Sequence, residues 1–340
     1  MDVRSLLNVV VFASIITASS AACDMRHINY DHCNYTVVCA TNPGSVSNPN
    51  CDVDPYVIFI IINSNLEYLT TGFFAATNFD SRVREIAAIG NTWVNIDSSA
   101  FRYYTKSIRL DISNNNIVKL KNEAFRNLNY LLYLNISNNK IETLYPKSFL
   151  ISDSRNNYVQ ELDLSNNKLI ELSSEINELS SLKRLHLQNN KLANLADDAF
   201  MNLKNLNYLN LQNNHLKFLN LTLTNLKMLK TLDISYNYLM KLSGYEINRL
   251  VAIVDFNASH NALTSVESNC FNQAFSLQKV DFSHNNINTN IENVMFINNN
   301  QLKYLNFYNN VITGIQENSF KHCNLDYINF ENNNITGDIK

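Results

Sequence analysis

One eleven-residue pattern recurs through most of this 340-residue chain and restricts its fold more than any other feature. Leu182, Leu185, Leu187, Asn190 and Leu192 show it most clearly, as L-x-x-L-x-L-x-x-N-x-L. The same frame centres on Asn91, Asn115, Asn139, Asn167, Asn190, Asn214, Asn237, Asn261, Asn285, Asn310 and Asn333. Successive asparagines lie 23–25 residues apart, save one interval of 28 between Asn139 and Asn167. A phase held for so long marks stacked units, none of which can bury its apolar side alone.

Within each copy two apolar residues sit two apart, as in Leu185 and Leu187, Leu209 and Leu211, or Leu232 and Ile234. That spacing places both on one face of a short strand. A strand so short must pair with its counterpart in the next copy, which grows a parallel sheet. The asparagine stands where the chain leaves the strand. Its amide donates and accepts at once, so it can satisfy backbone groups of its own and the adjacent turn. Phe101, Phe125, Phe149, Phe200, Phe271 and Phe320 each follow their asparagine by ten residues, and Phe296 by eleven. Ile247 takes the same slot, and Ile176 and Leu223 fall one position early. Stacking these side chains predicts a mainly phenylalanine spine behind the sheet.

The net charge of −3 offers no electrostatic case for nucleic acid or an anionic membrane. Residues 1–22 read as a secretory signal peptide, with Arg4, an apolar stretch over Leu6–Ile16, and Ser20-Ala21-Ala22 before Cys23. That apolar run is too short to span a bilayer, and no later run is longer. Cys23, Cys33, Cys39 and Cys51 then crowd together, which predicts two disulfides in any of three pairings, with a metal site as the competing reading. Five N-x-S/T sequons, at Asn34, Asn135, Asn220, Asn257 and Asn334, agree with secretion as glycosylation sites.

Residues 23–56 form the expected N-terminal cap, loop-rich because it holds Pro43, Gly44, Pro49 and Pro55. Residues 57–340 are the expected repeat region. Trp93 takes the usual leucine slot after Asn91, and Asn65 is a weak candidate for an earlier rung. The extra residues of the longest interval fall in Ile151–Asn157, which reads as a surface loop. Cys270 and Cys323 occupy core slots two copies apart, roughly 10 Å along the stack, beyond disulfide reach, and are expected to stay free. The last copy has no cysteine cap after it, so a dimer through this C-terminal repeat is one expectation.

Residues at the third, fifth and seventh positions of the frame are expected to face outward from the sheet. Tyr133, Tyr208, Tyr304 and Tyr327 hold the third position, beside Glu85, Arg109, Glu161, Arg184, Thr231, Asp255 and Lys279. The D/N-x-S recurrence at the fifth and seventh, as in Asp163 and Ser165, reads as short polar groups on a solvated sheet. Tyr304, Tyr308 and Tyr327 should gather on the last two strands as a partner-contact patch, since exposed tyrosine gives contact area at low entropic cost. His260 and His284 share one slot in adjacent copies, which admits a pH switch or weak metal site against plain solvation. Asn135 and Asn257 face the same side, so glycans there would obstruct it. No nucleophile, base and orienting group recur at fixed spacing, so neither catalysis nor a cofactor or metal is expected.

The repeat with its F-x-x-L back half resembles the typical extracellular class of leucine-rich repeat. The cap cysteines resemble the cysteine-bearing N-cap of that class, with wider spacings. The chain is most similar to secreted insect leucine-rich-repeat proteins, including mosquito complement-type immune factors and Toll-like ectodomains. The resemblance implies an α/β solenoid: a horseshoe with a parallel sheet on its concave face, about 11–12 repeats and a disulfide N-cap. It also implies recognition of an extracellular protein or glycoconjugate, often in innate immunity or cell adhesion. The chain departs from the mosquito factors in lacking a later cysteine pair and coiled coil, and from Toll in lacking a membrane span and cytoplasmic domain. A structural or adhesive matrix component, a truncated receptor ectodomain and an enzyme inhibitor are the alternatives.

Overall fold

A computed structural model describes residues 83–152, 157–219 and 221–336, with the strands Cys23–His27, Tyr35–Cys39, Val57–Ile61 and Tyr68–Leu69. The expected signal peptide, Asn34, Cys33, Cys51, Asn65 and Asn220 lie outside these residues. The chain divides into two compact units, residues 1–140 with 147–157, and residues 141–146 with 158–340.

The fold is a parallel β-sheet solenoid. In the second unit the strands Glu161–Asp163, Arg184–His186, Tyr208–Asn210, Thr231–Asp233, Asp255–Asn257, Lys279–Asp281, Tyr304–Asn306 and Tyr327–Asn329 pair in chain order, all parallel. In the first unit Val57–Ile61, Val83–Ala87, Arg109–Asp111 and Tyr133–Asn135 do the same. The described residues of the cap region form strands. Cys23–His27 runs antiparallel to Tyr35–Cys39, with Cys23 opposite Cys39 in the backbone register. Tyr35–Cys39 then extends the parallel ladder against Val57–Ile61.

From Arg109 onward each repeat strand is three residues long and buries its middle one, as Leu162, Leu185, Leu209 and Leu232 show, save the last, where Ile328 is exposed. In-register pairing superposes these leucines, and each contributes roughly 1.5–3 kcal/mol by burial. Behind them, Phe101 stacks on Phe125 (6.1 Å between centroids) and Phe125 on Phe149 (5.8 Å) in the first unit. Phe271, Phe296 and Phe320 form the spine of the second unit, 5.9 and 6.3 Å apart. Ile176, Phe200, Leu223 and Ile247 fill the intervening slots, all buried. Phe256, Phe282, Phe307 and Phe330 form a second aromatic column, with Phe282–Phe307 at 5.3 Å and Phe307–Phe330 at 5.1 Å.

The asparagine amides tie successive turns together. Asn190 Nδ2 donates to the carbonyls of Leu164 and Leu187, both at 3.0 Å, and its Oδ1 accepts the Leu169 N–H at 3.0 Å. Asn214, Asn237, Asn285 and Asn310 repeat this three-way bridge. In the first unit Asn139 makes it with Ile112, Ile136 and Ile117. Buried backbone groups at the strand exit thus keep partners without a continuous ladder.

The residue just before each ladder asparagine has φ between 52° and 59° at Asn114, Asn138, Asn166, Asn189, Asn213, Tyr236, His260, His284, Asn309 and Asn332. Asparagine dominates that slot because it tolerates the left-handed region better than most residues. Ile151, expected in the surface loop, is buried instead and its carbonyl accepts the Asn127 N–H at 2.7 Å. Residues 153–156 of that loop lie outside the description. Cys270 and Cys323 carry free thiols set against the carbonyls of Leu242 and Phe296.

Candidate protein-binding face of the sheet

The outward side of the sheet carries ordered columns, one residue from each turn. The fifth-position column is structural. Asp163 Oδ1 accepts the Ser165 N–H at 2.8 Å, and Asp233 and Asp281 each accept both the N–H and hydroxyl of Ser235 and Ser283. The seventh-position serines are therefore buried against their own turn, contrary to the expectation of a solvated surface. Asparagine replaces aspartate without loss: Asn135 Nδ2 donates to Asp111 at 3.0 Å, Asn257 Nδ2 to Asp233 at 3.3 Å and Asn306 Nδ2 to Asp281 at 3.2 Å. The amides of two expected glycan sites, Asn135 and Asn257, are thus part of this network. Asn334, a third, is exposed.

The third-position column carries charged and aromatic side chains. Read across the turns it repeats acid, cation, tyrosine: Glu85, Arg109, Tyr133 in the first unit, then Glu161, Arg184, Tyr208 and Asp255, Lys279, Tyr304 in the second. Thr231 separates the last two triplets and Tyr327 follows the last. Arg109 lies over the Tyr133 ring at 3.7 Å, Arg184 over Tyr208 at 4.2 Å, and the Lys279 ammonium 5.5 Å from the Tyr304 centroid. Glu161 approaches both Arg184 (3.7 Å) and His186 (3.2 Å), and the His186 ring meets Tyr208 at 4.9 Å. Asp255 pairs with Lys279 at 3.8 Å. Glu85 is the exception to the outward expectation, being buried at the start of its triplet.

Tyr304 and Tyr327 stack face to face, 4.6 Å apart and 8° from parallel. Tyr308 takes other partners at the strand-exit edge. Its ring meets His284 edge-on at 5.2 Å, and its hydroxyl accepts the Asn332 amide at 2.9 Å. On the same edge Tyr236, His260 and His284 stack at 4.1 Å intervals, and Asn309 Nδ2 lies 3.1 Å from His284 Nδ1.

Burial raises the Asp255 carboxyl, and Asp233 and Asp281 raise it further, against the lowering pull of Lys279. Burial, then Asp281 and Tyr327, push the Tyr304 hydroxyl up, so it remains a neutral donor. Burial and the facing His284 hold His260 below the usual histidine range, and Asp281 opposes them. Burial lifts the Cys270 thiol to about 12 and the Cys323 thiol to about 11, which leaves neither a nucleophile near neutral pH. Among the described residues no group of three His, Cys, Asp or Glu is placed to hold a metal ion. No helix among them is long and apolar enough to cross a membrane.

The geometry agrees with the comparisons. The profile described as Leucine rich repeat matches residues 109–169 and 180–239, and the BspA type Leucine rich repeat region matches 251–338. Fibromodulin of Sus scrofa is 32% identical over 110 residues, which span 32% of this chain and 73% of that protein. Transforming growth factor beta activator LRRC33 of Danio rerio is 31% identical over 132 residues, 38% of this chain but only 19% of that protein. The Toll–Spatzle complex of Drosophila superposes over 94% of this chain and 63% of the solved chain, at a TM-score of 0.60 and 16% identity, a likeness of fold. On repeat spacing, amide ladder and sequence match together, the chain belongs to the leucine-rich-repeat family.

Proposed function

We propose that this chain is a secreted binding protein whose outward sheet face recognises another extracellular protein. The observation that carries the reading is the acid–cation–tyrosine column of the second unit. Arginine and tyrosine, with tryptophan, are the residues most enriched where binding energy concentrates. Here Arg184, Lys279, Tyr208 and Tyr304 are held by neighbouring carboxylates and rings before any partner arrives, so less side-chain entropy is lost on docking. The stacked Tyr304–Tyr327 pair is the anchor, with Tyr133 an additional contact in the first unit and Tyr308 a contact at the edge.

The relatives support this reading by what they are named for: an activator of transforming growth factor beta, and a receptor in complex with Spatzle described as a hub in development and innate immunity. Binding rather than catalysis is the proposal, with innate immunity as its setting. The signal peptide over 1–22, the cap over 23–56 with two disulfides among Cys23, Cys33, Cys39 and Cys51, and N-linked glycans complete it.

The test is binding of the Tyr304→Ala, Tyr327→Ala double variant to a partner isolated on the wild-type protein. Loss of at least tenfold in affinity is expected, against no change for Phe275→Ala, an exposed residue before the Lys279 strand. Unchanged binding by the double variant would remove the sheet face from the proposal.

A further inference from the structure

The net charge of −3 conceals a sorting of charge along one flank of the second unit. This flank follows the strand exits and is built from segments 166–171, 189–194, 213–218, 236–241 and 260–265. They contain four lysines, no arginine and a single carboxylate, Glu171. Lys168 is paired with Glu142 at 3.8 Å. Lys191, Lys217 and Lys241 are exposed and form no ion pair among the described residues. The turns are in register, with Glu171 opposite Asn194 and Lys241 opposite Ser265. Lys191, Lys217 and Lys241 stand one, three and four residues after their ladder asparagines, so on successive turns about 4.8 Å apart they step in an oblique line across the flank.

Two further features border this line. Tyr238, Phe218 and Met240 are 55%, 49% and 59% exposed, and the His215 ring lies 5.8 Å from Tyr238. Beside them runs a chain of surface amides: Asn213 Nδ2 donates to Asn189 at 2.8 Å, and Asn189 Nδ2 to Asn166 at 2.9 Å. Ammonium groups in line, exposed aromatic faces and a row of oriented amides are the three groups an acidic sugar chain requires. The charges meet its anionic groups, the rings cover its C–H faces, and the amides bond its hydroxyls.

We propose that this flank binds a linear acidic polysaccharide laid obliquely across the stacked turns, with Lys191, Lys217 and Lys241 meeting its sulfate or carboxylate groups and Tyr238 packing on a sugar ring. The site is separate from the sheet face and does not depend on the protein-binding proposal.

The test uses the secreted full chain and a heparin-derived decasaccharide in a titration repeated over a salt series. Wild type should bind, with affinity falling as salt rises. The Lys191→Gln, Lys217→Gln, Lys241→Gln variant should lose at least tenfold and reduce the salt slope by about two to three units. Lys227→Gln, Lys230→Gln, Lys303→Gln, three exposed lysines before their strands, should change affinity less than twofold. Tyr238→Ala should weaken binding several-fold and leave the salt slope alone. No wild-type binding at low salt, or equal loss in the two triple variants, would overturn the site. Equal affinity for single-stranded DNA of the same charge, or for the desulfated, N-acetylated oligosaccharide, would overturn the ligand class.

Discussion

Replacing Asn190 by alanine removes three close hydrogen bonds at once, to the Leu164 and Leu187 carbonyls and from the Leu169 N–H, each at 3.0 Å, and a longer one to the Gln188 carbonyl at 3.5 Å. The Leu187 carbonyl keeps the Asn214 amide at 3.0 Å. The Leu164 carbonyl likewise keeps the Asn167 amide at 3.1 Å, so the Leu169 N–H alone loses its side-chain partner while its residue stays fully buried. One stranded buried group costs about 1–3 kcal/mol, which sets the expected loss. The matched control is Asn189→Gly. Asn189 is exposed, its bonds to Asn166 and Asn213 lie on the surface, and glycine suits its φ of 59°. Urea unfolding followed by circular dichroism should lower the midpoint sharply for Asn190→Ala and barely for Asn189→Gly. Equal effects, or a cost under about 1 kcal/mol for Asn190→Ala, would refute the claim that these amides bind the turns together.

Phe296→Ala opens the aromatic spine between Phe271 and Phe320, and thermal melting should show a loss of about 3–5 kcal/mol. His260 has a folded pKa below 6.5, so the unfolded chain takes up its proton first. The stability it contributes is whole above about pH 6.5 and falls as the pH drops through the window beneath, and His260→Asn should flatten that fall in a pH series of urea midpoints. With thiols at about 12 and about 11, Cys270 and Cys323 should resist a disulfide reagent at pH 8 in the native protein and react once it is unfolded.

The asparagine period, strand positions and spine slots were legible because each depends on residues of one repeat and a fixed count to the next. Serine misled because its burial comes from a bond two residues back. Ser235 hides its hydroxyl on Asp233, and residue type alone does not distinguish that from solvation. The triplet of Glu161, Arg184 and Tyr208 spans three turns, so it emerges only when positions some 23 residues apart are written as neighbours. Closeness in sequence places Tyr308 with Tyr304, but the seventh position lies past the end of the strand Tyr304–Asn306, where the chain turns to the edge. The lysine line escaped notice because acids elsewhere cancel it in the total charge.

Photo-crosslinking from single positions tests the sheet-face claim most directly. A photoreactive phenylalanine analogue at Tyr304 is compared with the same label at Tyr245, which is 67% exposed on the short helix Gly244–Ile247 outside the sheet. The expected result is a discrete crosslinked partner from position 304 that excess unlabelled wild type competes away, and none from position 245. Equal or stronger crosslinking from position 245, with position 304 silent, would contradict recognition through the sheet.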